Sequence, residues 1–171
     1  MKTLILGGVR SGKSRLAEKK AAQCSLPVTY VATATAGDRE MQERIAHHQA
    51  SRPGHWILIE ESLALADVLT ANAAPGACIL IDCLTLWLTN LLLCDDPGRL
   101  VREREALLRV LRDLPGEIIL VSNETGLGVV PMGELTRCYC DEAGRLHQDL
   151  ALLCDNVILT VAGLPLTLKG Q

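Results

Sequence analysis

The feature that most constrains this chain stands at its very start. A short apolar run, Thr3-Leu4-Ile5-Leu6, leads directly into Gly7-Gly8-Val9-Arg10-Ser11-Gly12-Lys13-Ser14. This satisfies the phosphate-loop pattern G-x-x-x-x-G-K-S/T, and its flanks read as the strand and helix that such a loop joins. Glycines let the backbone wrap closely around a polyphosphate without Cβ clashes. The amides from Gly8 to Ser14 then point inward, and the helix adds its positive N-terminal end. Lys13 is expected at the β- and γ-phosphates, with the Ser14 hydroxyl on Mg2+. An ordinary glycine-rich turn is the plain alternative, but strand, full spacing and helix agree. Nucleotide binding is the first expectation.

The remainder alternates strands and helices. Ser14 to Cys24 is helical in composition and is stopped by Leu26-Pro27. Val28 to Thr33 is β-branched and reads as a strand, with Ala34 to Asp38 a small-residue loop at its end. Asp38 caps a helix to about Ser51, and Arg52-Pro53-Gly54 breaks it. Trp56 to Glu60 reads as a strand, Ser62 to about Asn72 as a helix. Ala77-Cys78-Ile79-Leu80-Ile81-Asp82 is a continuous apolar run ended by an acid. A strand buried on both faces has this form, and the acid falls where phosphate-loop proteins hold their metal. An apolar helix from Cys83 to about Cys94 follows, then a charged one from Arg99 to Leu114 whose charges read as a solvated face. Glu117 to Ser122 is another buried strand. A helix from Gly133 to Cys154, interrupted near Gly144, precedes a strand at Asn156 to Val161 and a short one at Leu164 to Leu168. Such alternation implies a phosphate-loop α/β fold of the RecA-like kind, a mostly parallel sheet with helices on both faces, forming a single domain over residues 1–171.

Composition narrows the function. A net charge of −3 gives no field for nucleic acid or an anionic membrane. Two Trp, two Tyr and no Phe leave no platform for base stacking. Ile79 to Leu93 is apolar but carries Asp82 and Asn90 and falls short of the roughly 18–20 residues a membrane span needs. Seven cysteines, without a C-x-x-C pair or a leader peptide, read as reduced cytoplasmic thiols, mostly core fillers. Cys138, Cys140 and His147 lack the spacing of a zinc site.

Two positions carry further chemistry. Asp82 is either a metal-linked acid beside Ser14 or a helix cap before Cys83. In the expected helix from Asp38, His48 falls on the stripe of Met41 and Ile45, whereas His47 lies with Glu40, Glu43 and Arg44. A neutral imidazole is a competent nucleophile toward an α-phosphorus. His47 therefore stands as a nucleophile or a surface residue, and His48 as a core histidine. After the strand ending at Ser122, the guanine-reading Asn-Lys-x-Asp run of switch GTPases is absent, and Ser122-Asn123-Glu124 stands in its place.

The blocks Gly7-Gly8-x-Arg10-Ser11-Gly12-Lys13-Ser14, Tyr30-Val31-Ala32-Thr33-Ala34 and Arg44-Ile45-x-His47-His48-x-x-x-Arg52-Pro53-x-x-Trp56 follow one another in order. Asp82-Cys83-Leu84-Thr85, Ser122-Asn123-Glu124-x-Gly126-x-Gly128-Val129-Val130-Pro131 and Gly144-Arg145-x-x-Gln148 continue the series. With these the chain resembles the bifunctional adenosylcobinamide kinase / adenosylcobinamide-phosphate guanylyltransferases of cobalamin biosynthesis. The resemblance implies that His47 is covalently guanylylated. It implies nucleotide contacts at Gly7, Gly8, Val9, Arg10, Ser11, Gly12, Lys13 and Ser14, at Ala32, Thr33 and Ala34, at His48, Gln49, Ala50 and Ser51, and at Glu60 and Asp82. Mg2+, GTP and ATP, a corrinoid acceptor and a homotrimer are implied with it. His147 stands where the family usually has Asn, and Thr125 where it usually has Val. A monofunctional small-molecule kinase or a nucleotide-binding regulatory module is the alternative.

Overall fold

The computed structural model describes residues 1–34 and 53–170. Seven strands form one sheet: β1 (Lys2–Gly7), β2 (Val28–Ala32), β3 (Ile57–Glu60), β4 (Cys78–Asp82), β5 (Glu117–Asn123), β6 (Asn156–Val161) and β7 (Leu164–Lys169). Their order across the sheet is β3-β2-β4-β5-β1-β6-β7, and only β7 runs antiparallel. The described helices are α1 (Lys13–Gln23), α2 (Leu65–Asn72), α3 (Leu84–Leu92), α4 (Arg99–Asp113) and α5 (Glu134–Leu153). The expected helix from Asp38 to Ser51, with the two adjacent histidines, lies outside the described residues.

The sheet divides the core in two because alternate residues of each strand face opposite sides. Leu4, Leu6, Ile79, Ile81, Ile118 and Leu120 pack under α2 to α5, against Leu65, Leu69, Leu84, Trp87, Leu107 and Leu150. Ile5, Leu80, Ile119 and Val121 face the other side, where Ala17 and Ala21 of α1 lie on them. Central strands covered on both faces must be apolar throughout, which is why β4 and β5 read as unbroken hydrophobic runs.

Several sequence expectations need correction. The helix expected from Ser62 begins at Leu65, because the Glu61 carboxylate accepts the amides of Leu63 (2.7 Å) and Ala64 (2.9 Å) and holds them in a turn. Helix α5 is continuous through Gly144. Ala143, Leu146, His147 and Leu150 are all buried along it, which outweighs a glycine cost of about 1 kcal/mol. One expectation holds without change: the apolar helix α3 belongs to the core, with Leu84, Trp87, Leu88 and Leu91 buried. The charged face of α4 is only partly solvated: Arg104 pairs with Glu142 (3.0 Å) and Asp149 (3.7 Å) of α5. All seven cysteines are free; Cys78 and Cys154 are buried and Cys24 and Cys83 pack against the core, so most are core fillers as expected, while Cys94, Cys138 and Cys140 lie outside it. Among the described residues, no helix is long and apolar enough to cross a membrane.

Trp87 ties α3 to the segment before α2. Its ring is fully buried and its indole N–H donates to the Leu63 carbonyl at 2.7 Å. Trp87→Phe keeps most of the volume and strands that carbonyl, so a loss of about 1–3 kcal/mol is expected in denaturant unfolding. Trp87→Ala adds a cavity and should cost about 3–5 kcal/mol.

Candidate active site

The sheet delivers the expected site residues to one edge. Registers pair Ala32 with both Glu60 and Asp82, Asp82 with Val121, and Gly7 with Asn123 and Thr160. The C-terminal ends of β3, β2, β4, β5, β1 and β6 thus form one row, and in open α/β sheets ligands bind along that edge. Strand β5 lies between the phosphate-loop strand and the strand ending in Asp82. At about 4.8 Å per strand, the loop and Asp82 stand roughly 10 Å apart, with the tip of β5 between them.

The loop has the form a phosphate requires. Gly7 sits where a Cβ would come within 2.4 Å of Ser11 Oγ and 2.6 Å of the Thr160 carbonyl. The serine can rotate away; the backbone carbonyl cannot. Gly12 has φ +94°, a left-handed conformation that disfavours any side chain, and it opens α1. Arg10 is also left-handed, at φ 55°. Gly8, Val9 and Arg10 are exposed at the crest of the loop, while Ser11 is buried and Gly12, Lys13 and Ser14 are half-buried. Lys13 Nζ donates to the Gly8 carbonyl at 3.1 Å, so the ammonium curls over the loop. Burial pulls its pKa below 10.5, while Cys83 and Asp82 nearby push it back up.

The short connection of the β6–β7 hairpin braces this loop. Ala162 and Gly163 both have positive φ (51° and 81°), as a type I′ turn demands. The Gly163 amide donates to the Ser11 carbonyl at 2.9 Å. A terminal hairpin that reads in sequence as a mere sheet extension therefore supports the phosphate loop.

On the other side, Asp82 ends β4 and accepts a hydrogen bond from the Tyr30 hydroxyl at 3.2 Å. Thr33 is fully buried; its hydroxyl donates to the Cys83 carbonyl (2.6 Å) and accepts the Cys83 amide (2.9 Å). Its side chain locks the end of β2 to the residue after Asp82. Asn90 of α3 reinforces this by donating to the Thr33 carbonyl at 2.9 Å. Ala32 and Ala34 are half-buried beside it, and Glu60 is exposed at the tip of β3. His47, His48, Gln49, Ala50 and Ser51 lie outside the described residues.

Three residues at this edge carry more than the sequence conveyed. The Glu124 amide donates to the Gly7 carbonyl at 3.0 Å, and the Asn123 amide to Thr85 Oγ1 at 2.8 Å. The tip of β5 is thereby pinned to the loop on one flank and to α3 on the other. Beneath it, His147 Nε2 and Ser122 Oγ are 2.8 Å apart, and His147 Nδ1 is 3.8 Å from Glu124 Oε2. Burial lowers the His147 pKa below 6.5, opposed by Glu124, so the ring is neutral at physiological pH. An acid two residues past a buried strand was the available signal; its histidine partner, 25 residues from Ser122, was not legible.

Comparison with known proteins decides the family. A model described as cobinamide kinase / cobinamide phosphate guanyltransferase matches residues 3–168. The chain belongs to that family. It is 67% identical over 171 residues to the bifunctional adenosylcobalamin biosynthesis protein CobP of Pseudomonas aeruginosa, covering 100% of this chain and 99% of that protein. It is 38% identical to the Salmonella typhimurium protein CobU of the same description, over 99% of this chain and 100% of that one. Among solved structures, the secretion ATPase EscN of enteropathogenic E. coli, solved with its central stalk EscO, superposes with a TM-score of 0.55 at 15% identity, over 93% of this chain and 41% of that one. A Pyrococcus horikoshii protein gives 0.55 at 10% identity, over 99% and 86%. These two likenesses show the fold alone: a mostly parallel α/β sheet with helices on both faces, as expected.

Gly7→Ala tests the cradle. A Cβ driven against the Thr160 carbonyl displaces the loop from β6. Triphosphate binding measured by calorimetry should weaken at least 10-fold, whereas Gly8→Ala, where a Cβ meets nothing within 4 Å, should change it less than 3-fold.

Proposed function

We propose that this chain phosphorylates adenosylcobinamide with a nucleoside triphosphate and then transfers GMP from GTP to adenosylcobinamide phosphate, giving adenosylcobinamide-GDP. The observation that carries this is the assembled edge of the sheet, with loop, Lys13 and Asp82 converging, in a chain that matches its bifunctional relative from end to end.

In the kinase reaction the acceptor hydroxyl attacks the γ-phosphorus. Loop amides and Lys13 meet the charge that develops on the phosphoryl oxygens, and because they are already oriented they need little reorganisation. Among the described residues, no cluster of three or more His, Cys, Asp or Glu could cage a metal. The Ser14 hydroxyl and Asp82 carboxylate are instead hard oxygen donors of the kind that hold Mg2+ jointly with substrate phosphates. When bound, Mg2+ would offset phosphate charge. The nucleotide contacts assigned here are Gly7 to Ser14, Ala32, Thr33, Ala34, Glu60 and Asp82, together with His48 to Ser51.

In the transferase reaction His47 attacks the α-phosphorus of GTP, and pyrophosphate leaves. The terminal phosphate of adenosylcobinamide phosphate then takes GMP from the histidine. His47 must be unprotonated at attack. GTP and ATP are both assigned as substrates. Free cysteines throughout support a reducing, cytoplasmic setting. We assign a homotrimer. Leu164, Leu166 and Leu168 on edge strand β7 are exposed apolar residues available for subunit contact.

Incubation with Mg2+ and GTP labelled at the α-phosphorus, without corrinoid, tests the intermediate. Protein-bound label that is acid-labile and base-stable is expected, and it should vanish in His47→Ala. Absence of label in the wild type would leave a plain kinase or a nucleotide-binding module. Full labelling of His47→Ala would place the nucleophile elsewhere.

A further inference from the structure

We propose that Glu124 is the group that takes the proton from the acceptor hydroxyl during phosphoryl transfer, with the Gly126 amide fixing one carboxylate oxygen and the His147 ring lying beside the other. This assignment rests on the kinase half of the proposed function and names a residue for it.

Position is the first support. Strand β5 lies between β1 and β4, so the residue leaving its end stands between the phosphate loop and Asp82. A γ-phosphate held by Lys13 on one side and by a metal at Asp82 on the other would face that residue. The Glu124 amide is bonded to Gly7, the first residue of the loop motif, which fixes the distance between the acid and the cradle.

The second support is how the carboxylate is held. One oxygen, Oε1, accepts the Gly126 amide; the other, Oε2, faces His147 Nδ1 at 3.8 Å. A buried neutral imidazole carries one proton, and the carboxylate draws it to Nδ1. Nε2 is then an acceptor, and the Ser122 hydroxyl donates to it at 2.8 Å. The distance to Oε2 is too long for a hydrogen bond, so that oxygen keeps lone-pair capacity for a substrate proton. The side chain is 22% exposed, enough to be reached from the cleft. Tyr139 on the same helix offers no competing base, its phenol being pushed up to about 12, chiefly by burial.

The step balances with no added reactant. The acceptor oxygen forms a bond to the γ-phosphorus as the bond from that phosphorus to the β,γ-bridging oxygen breaks. The hydroxyl proton passes to Glu124 Oε2, and the nucleoside diphosphate leaves with the bridging oxygen and its electron pair. Glu124 returns the proton to solvent on product release. The α-phosphorus reaction at His47 has a different nucleophile and does not use Glu124.

Glu124→Gln in the full chain tests this. Glutamine keeps an oxygen for the Gly126 amide but cannot take a proton. The kcat for adenosylcobinamide phosphorylation should fall about 100-fold or more, with the KM for triphosphate within about 3-fold, since general-base contributions run to about 10²–10⁴. Loading of the protein with GMP should lose far less than this, because attack by a histidine removes no hydroxyl proton. A kcat loss under about 5-fold, an effect on KM alone, or an equal loss in both half-reactions would overturn the assignment. If Glu124→Gln lowers the unfolding midpoint, Glu124→Asp carries the test: activity above that of the glutamine variant supports a proton-accepting carboxylate, and activity equal or lower overturns it. His147→Ala should lower kcat about 5- to 20-fold without changing KM, whereas His147→Asn, which restores the family's usual residue, should stay within about 3-fold of wild type; the His147→Ala double variant should be no slower than Glu124→Gln alone. Additive losses would make His147 merely structural. A wild-type chain that phosphorylates no adenosylcobinamide overturns the kinase reading and this assignment together; one that does so as fast with Glu124→Gln overturns this assignment alone.

Discussion

Everything at the functional edge depends on one hydrogen-bonded ladder, that of β5 with β1 on one side and β4 on the other. It sets the separation between phosphate loop and Asp82 and determines that a third strand end falls in the gap. A parallel ladder at this position requires both sheet faces to be covered, which is what the two apolar layers of residues such as Ile119 and Leu120 provide. Core packing and site geometry are therefore one problem: a change in either layer that shifts β5 moves the tip that carries Ser122, Asn123 and Glu124.

Around that ladder the molecule spends polar contacts on fixing strand ends. Thr33 ties β2 to Cys83, Thr85 ties α3 to β5, and Gly163 ties the last hairpin to the loop. Each joins elements distant in sequence, and most are partly buried, where a satisfied polar pair is worth more than at the surface and an orphaned one costs more. These described parts of the edge are thus held by the protein's own contacts, which suits a site whose contribution is orientation and fixed dipoles.

What the sequence made legible were features governed by local chemistry. The loop announces itself because phosphate wrapping needs glycine at Gly7 and Gly12 and a cation at Lys13. The apolar run ending at Asp82 announces a doubly covered strand. Strand order was not legible, because it depends on long-range pairing that no local pattern encodes. The His147–Ser122 contact was hidden for the same reason; His147 stood out only as a rejected zinc ligand and as a departure from the family's usual Asn. Helix α5 runs through Gly144, where propensity suggested a break, because packing against the sheet decides.

Phosphate loop, Asp82 and the β5 tip are proposed to surround one phosphoryl group. A crystal structure with Mg2+ and a non-hydrolysable triphosphate tests it most directly. It should show the γ-phosphate within hydrogen-bond distance of Lys13 Nζ, metal beside Ser14 and Asp82, and the Glu124 carboxylate facing the γ-phosphorus from the side opposite the leaving oxygen. A γ-phosphate lying away from the β5 tip, or a Glu124 carboxylate turned from it with no room for an acceptor between, would contradict the account.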